Sequence, residues 1–281
     1  MKLRPYQEEA IAAVLAARRA GTRRQVICLP TGAGKTVIFA RLAALARRPV
    51  LVLALLAIIV VAMAIILLVL PWLFDRRGRS ARPAAPMVVY FAAIGFAFLL
   101  VEVSQLQRFS LYLGNPTASL AVVLLSVLLF SGIGSMLSER FVDQSRPVTL
   151  VRPLIGLLVA LAAYGVIAPA VVHATRGAPT PTRMLIAVLL LAPISVGMGM
   201  PFVIGMRAAA STGEAATAYL WAVNGAASVC ASVLGVVIAV FMGIPMAFIA
   251  GAACYVVALG AMLAITRRAR AGSESVVAAG T

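Results

Sequence analysis

Leu29-Pro30-Thr31-Gly32-Ala33-Gly34-Lys35-Thr36 has the residue types and spacing of a phosphate-binding loop. Gly32 and Gly34 let the backbone turn tightly, so successive N–H groups, from Thr31 and Ala33 onward, face phosphate oxygens. Lys35 would reach the β- and γ-phosphates of ATP, and the Thr36 hydroxyl would hold Mg²⁺. A second constellation lies far downstream. Glu102, Gln105 and Arg108 recur at i, i+3 and i+6, so they share one face of a helix. Two roles are open to that face: lining a cavity for a cationic ligand, or a polar network pinning a helix end at a membrane surface. Asn224 sits inside another apolar run and should hydrogen-bond a neighbouring helix.

Other chemistry is hard to place. Triphosphate hydrolysis needs an acidic pair to hold Mg²⁺ and orient water. The chain has 8 acidic residues, and none forms an Asp-Glu or Glu-Asp dipeptide. The cysteines are Cys28, Cys230 and Cys254, with no CxxC, and His173 is the single histidine. A zinc site or a disulfide framework is not expected from that set.

The elements that must position these residues fall into two kinds. Arg4 to Arg19 has helical spacing, with Ile11, Val14 and Leu15 on one face. Gln25–Leu29 reads as a short buried strand, Val37–Ala46 as the helix after the loop, and Val50–Ala54 as a second strand. That last strand never ends. From Pro49 to Leu70 there is no charged or strongly polar side chain. As a helix, Val50–Leu70 spans about 32 Å, roughly one hydrocarbon core. Six more spans follow: Met87–Leu106, Thr117–Leu137, Leu154–Val172, Met184–Met206, Ala218–Met242 and Pro245–Ile265. Asn115-Pro116 reads as the turn that starts the third span. Pro193, Gly197, Gly199 and Pro201 predict a kink or break in the fifth. Gly132 and Gly134, Gly225 with Ser228 and Ser232, and Gly251 and Gly260 predict close helix packing. His173 falls at an interface. Residues 269–281 read as a disordered tail.

Composition agrees. Of 281 residues, 63% are hydrophobic and 11% charged, against about 45–50% and about 25% in soluble domains. A soluble globule is excluded, and so are collagen-like, disordered and disulfide-stapled classes. No secretory signal is expected, because the first long apolar run begins near Val50. There are 24 basic residues against the 8 acidic ones, a net charge of +16. In a membrane protein this excess mainly records topology. The loops before Met87 and Leu154, the link between spans five and six, and the tail carry most arginines outside the N-terminal arm. Arg108, Arg176 and Arg183 are the exceptions on the other side. The bundle is therefore expected to have its C-terminus in the cytoplasm. Seven spans then put the arm and its phosphate loop outside the cell. Either a span is miscounted or arm and bundle have separate origins.

The loop and its flanks resemble superfamily 2 helicases of the DEAD/DEAH or type III restriction type. Leu3-Arg4-Pro5-Tyr6-Gln7 followed by a helix looks like the start of such a domain, and the resemblance covers residues 2–54. It implies that Gln7 reads adenine, that ATP and Mg²⁺ are the cofactors, and that nucleic acid is bound only nonspecifically by so short a piece. The missing acidic pair and later helicase motifs imply a fragment without ATPase activity.

Residues 55–268 resemble the membrane part of bacterial multipass spermidine synthase-like proteins. The resemblance rests on Tyr90–Arg140, with its run FAAIGFAFLLVEVSQLQRFSLYLGNPTASL, on Gly197-Met198-Gly199-Met200-Pro201-Phe202, and on Leu220-Trp221-Ala222-Val223-Asn224-Gly225-Ala226-Ala227-Ser228. It implies the bacterial inner membrane, and either self-association or a soluble synthase-type partner. No aminopropyltransferase site is visible, so no catalytic residue is assigned. The expected architecture is an all-α polytopic membrane bundle of about seven transmembrane helices, preceded by a short incomplete α/β P-loop segment. The expected division is 1–54, 55–268 and 269–281, with the join near Ala54 reading as a chimera. The expected function is solute binding or movement without catalysis. The alternative is an ATP-binding, helicase-like protein tethered to a membrane.

Overall fold

The computed structural model describes residues 5–21, 83–141 and 147–279, together with residues 55, 58 and 62. Among the described residues there are seven α-helices, one short 3₁₀ turn and no strand. The chain divides into two compact units, Met1–Ile58 and Ile59–Thr281. In the first, α1 spans Pro5–Arg19. Proline suits the first turn of a helix, where its missing N–H would have no partner. Gln7 and Ile11 are both buried, one turn apart on one face. Gly21, at φ 89°, follows the helix. The expected strands, the phosphate loop and, apart from Leu55, Ile58 and Ala62, the first span Val50–Leu70 lie outside the described residues.

The second unit holds α2 (Ala85–Leu113), α3 (Pro116–Phe141), α4 (Pro147–Ala174), α5 (Thr180–Ala209), α6 (Glu214–Phe241) and α7 (Ile244–Ala279). All six are long and apolar enough to cross a membrane, and they coincide with the six later spans expected from the sequence. Leu125, Val159, Val166 and Leu185 are exposed on the outside of the bundle. Such a surface suits hydrocarbon, where backbone groups must be satisfied within the helices. Over its most apolar stretch α2 is 61% buried, against 22% to 33% for the others, which makes it the central helix. It packs chiefly on α6 and α7, α3 packs on α5, and α4 packs on α5 and α7.

Local chemistry sets the joints. α2 stops at Gly114, a left-handed residue at φ 72° whose N–H bonds back to Ser110, a cap that glycine adopts without penalty. Asn115 starts α3 as expected, its Oδ1 accepting from the N–H groups of Thr117 at 3.0 Å and Ala118 at 3.2 Å.

Two expectations are revised. α5 is one continuous helix through Pro193 and Pro201, so the span is not interrupted there. Its glycines serve packing instead: Gly199 lies against the Ser131 backbone of α3, Gly197 against Leu157 and Gly205 against Tyr90. The tail expected to be disordered continues α7 as helix to Ala279. Ala, Arg and Glu are good helix formers, and extending an existing helix avoids the cost of a new nucleus.

Candidate intramembrane site

Of the three residues singled out on α2, Gln105 and Arg108 meet at Tyr164, and Glu102 stands apart. Gln105 is fully buried. Its Oε1 accepts from the Tyr164 hydroxyl of α4 at 2.6 Å, and its Nε2 donates to Ser104 Oγ at 3.0 Å. Ser104 in turn donates to the Val101 carbonyl. One turn on, the Arg108 guanidinium lies 5.8 Å from the Tyr164 ring centre and 5.7 Å from that of Phe248 on α7. This is cation–π geometry with both rings. Arg108 Nη1 is buried without a hydrogen-bond partner among the described residues.

Glu102 is also buried, yet it makes no hydrogen bond or ion pair among the described residues. The expected Glu102–Arg108 network is therefore not formed directly. The ion pair among the described residues is Arg207–Glu139 at 3.2 Å, between the C-terminal ends of α5 and α3.

Asn224 belongs elsewhere. Its Nδ2 donates to the Phe91 carbonyl at 3.0 Å, and Ser228 one turn later donates to the Gly95 carbonyl at 3.3 Å. A Cβ on Gly95 would strike the Asn224 carbonyl. These contacts are the α2–α6 seam, the helix-to-helix role expected for Asn224. Along α2, about 21 Å of rise separates Phe91 from Gln105.

The same seam borders a cavity of about 560 Å³ reached by α2, α3, α5, α6 and α7. That volume lies within the usual range for small-molecule pockets. Phe98, Phe202, Trp221 and Tyr255 give it an aromatic wall; Ser131, Ser135, Asn224 and Ser228 add polar groups. An edge-to-face chain of rings, Tyr90–Phe91–Phe202, ends on Trp221, 6.1 Å from Phe202. The Tyr90 hydroxyl anchors it by donating to the Pro201 carbonyl at 2.6 Å. Gly132 and Gly225, expected to be packing glycines, line this cavity instead and have open space where a Cβ would stand. Gly134 and Gly251 do pack closely, against Val196 and Val101.

Sequence reasoning missed Tyr164, Phe248 and Tyr255. A tyrosine inside an apolar span was the available signal, because its hydroxyl needs a partner there. It also missed Arg183 as a strut: Nη1 donates to the Tyr112 carbonyl at 2.7 Å, holding α5 to the end of α2. Of the N-terminal candidates, Gln7 lies buried on α1. Thr31, Gly32, Ala33, Gly34, Lys35 and Thr36 lie outside the described residues. His173 is exposed, Cys230 and Cys254 are free thiols, and Cys28 lies outside the described residues.

Residues 1–63 match the type III restriction enzyme, res subunit, family. The match supports a helicase-like character for the N-terminal segment. It runs past Ala54, the join expected from the sequence. No curated protein matches the chain, and no solved structure does.

Proposed function

We propose that this chain is a multipass membrane protein, related to the membrane part of spermidine synthase-like proteins, that holds a small solute within its bundle and carries out no catalysis there. The observation that carries this reading is the five-helix cavity with its aromatic wall and few polar groups, the composition of a ligand pocket. The arginine distribution supports a bacterial inner-membrane location with a cytoplasmic C-terminus. Arg140, Arg152, Arg207, Arg267 and Arg268 cluster at one set of helix ends, against Arg108, Arg176 and Arg183 at the other. A second copy or a soluble synthase-type protein is the proposed partner, and nucleic acid would bind only nonspecifically.

Native mass spectrometry of the chain, extracted from membranes into lipid nanodiscs, tests the proposal. The wild type should retain a discrete small-molecule adduct, and Gly132→Phe, which grows into the open space, should lose it. A wild type that carries bulk lipid alone sinks the reading.

The family match favours a second reading, in which the N-terminal segment binds ATP with Mg²⁺ through Lys35 and Thr36. We expect no sustained ATP turnover from the purified chain. Turnover that Lys35→Ala abolishes would move the function to that segment.

A further inference from the structure

The cavity's lining identifies what it takes. Among the described residues that line it there is no Asp, Glu, Lys, Arg or His. An unpaired charge is strongly disfavoured at membrane depth, so neither a polyamine-like cation nor an anion would find a counter-ion on this wall. Glu102, the carboxylate that suggested a cationic ligand, is not part of the lining.

Two hydroxyls of the lining, those of Ser135 and Tyr255, make no hydrogen bond among the described residues, and Tyr255 is the more deeply placed. Tyr255 is 1% exposed and lines the cavity, yet its hydroxyl makes no hydrogen bond among the described residues. A hydroxyl that faces an apolar cavity without a partner has hydrogen-bonding capacity to offer a ligand. A ligand hydroxyl or carbonyl would satisfy it. Tyr255 lies near the middle of the Ile244–Arg268 apolar stretch, so that partner must come to it through hydrocarbon.

A way in exists. α3 and α6 flank the cavity and are not among the main packed pairs of the bundle. Gly132 of α3 and Gly225 of α6 are exposed, and each has open space where a side chain would stand. Leu128 and Trp221, 64% and 62% exposed, form the lips. The cavity therefore opens sideways, toward the acyl chains.

Resting on the solute-binding reading above, we propose that the cavity binds a neutral, bilayer-soluble amphiphile. Its apolar body packs on Phe98, Phe202 and Trp221, and its single polar group hydrogen-bonds Tyr255 after it enters between α3 and α6.

Photolabelling of the full chain in nanodiscs tests this. Three probes of equal chain length each carry a diazirine: a long-chain alcohol, its trimethylammonium counterpart and its carboxylate counterpart. The alcohol should label peptides containing 128–135 and 221–228 above the level on 159–166, the stretch of α4 that carries the outward-facing Val159 and Val166. Unlabelled alcohol should compete. Gly225→Leu and Gly132→Leu, on opposite lips, should each cut labelling about tenfold, while Gly156→Leu, equally open but outside the cavity, should not. Thermal melting of each variant shows that it is folded. Tyr255→Phe should weaken competition about threefold to tenfold, the worth of one hydrogen bond. Equal labelling by a charged probe overturns the neutral-ligand inference and leaves the cavity reading standing. Failure of all three probes to exceed the level on that α4 stretch overturns both. Unchanged competition in Tyr255→Phe overturns the hydroxyl's role, and unchanged labelling in both lip variants overturns the lateral route.

Discussion

Gly199→Ala should destabilise the bundle by about 3 kcal/mol or more, at the upper end of the range for overpacked cores. The added methyl would overlap the backbone of Ser131, and at the reciprocal position a methyl on Gly134 would overlap the backbone of Val196. The pair forms the α3–α5 crossing, where small residues let two helices approach backbone to backbone. A flexible side chain in the way could turn aside; a carbonyl held in a helix ladder cannot. Relief therefore requires moving one whole helix away from the other, with loss of packing along the α3–α5 contact. Gly132→Ala is the internal control. It lies on α3 two residues before Gly134, meets nothing within 4 Å, and should be neutral or slightly stabilising, since alanine outranks glycine in a helix by about 1 kcal/mol. Thermal unfolding in detergent, followed by circular dichroism, would show the contrast. Equal melting temperatures for the two variants would mean that the crossing is looser than the structure has it.

These two glycines also show where the sequence was legible. Hydropathy is a local property, so the six described spans were visible in their apolar runs. The Asn115 cap was visible because an Asx turn involves only neighbouring residues. Which glycine touches a helix is not local. Gly132 and Gly134 stand two residues apart with the same type and setting, yet one lines a cavity and the other meets a backbone. The choice depends on which helix crosses there, and no spacing rule encodes that. The same limit split the expected polar site. Periodicity placed Glu102, Gln105 and Arg108 on one face, but the partners of Gln105 and Arg108, Tyr164 and Phe248, come from α4 and α7. Asn224 was read correctly as an inter-helix donor, because an amide at membrane depth has few other options. Its distance from Gln105 followed from the α2–α6 register. The prolines do not break α5: inside a bundle, neighbouring groups can tolerate the freed carbonyls, so the helix continues.

Tyr164→Phe tests the polar core of the bundle. The substitution keeps the ring that faces Arg108 and removes the hydroxyl that donates to Gln105 at 2.6 Å. Gln105 Oε1 then stays buried with its bond unmade, a penalty of about 1–3 kcal/mol. Gln105→Leu orphans the tyrosine hydroxyl instead and should cost a similar amount. Removing both partners leaves no orphan from this pair, so the double variant should be more stable than the two single losses added together. The coupling should fall within the range of about 0.5–3 kcal/mol seen for residues in direct contact. Unfolding in detergent for the wild type, both single variants and the double variant closes the cycle. Strictly additive losses would mean that the two groups do not bond across the α2–α4 contact. A coupled result would make this bond a tie that holds α4 to the central helix.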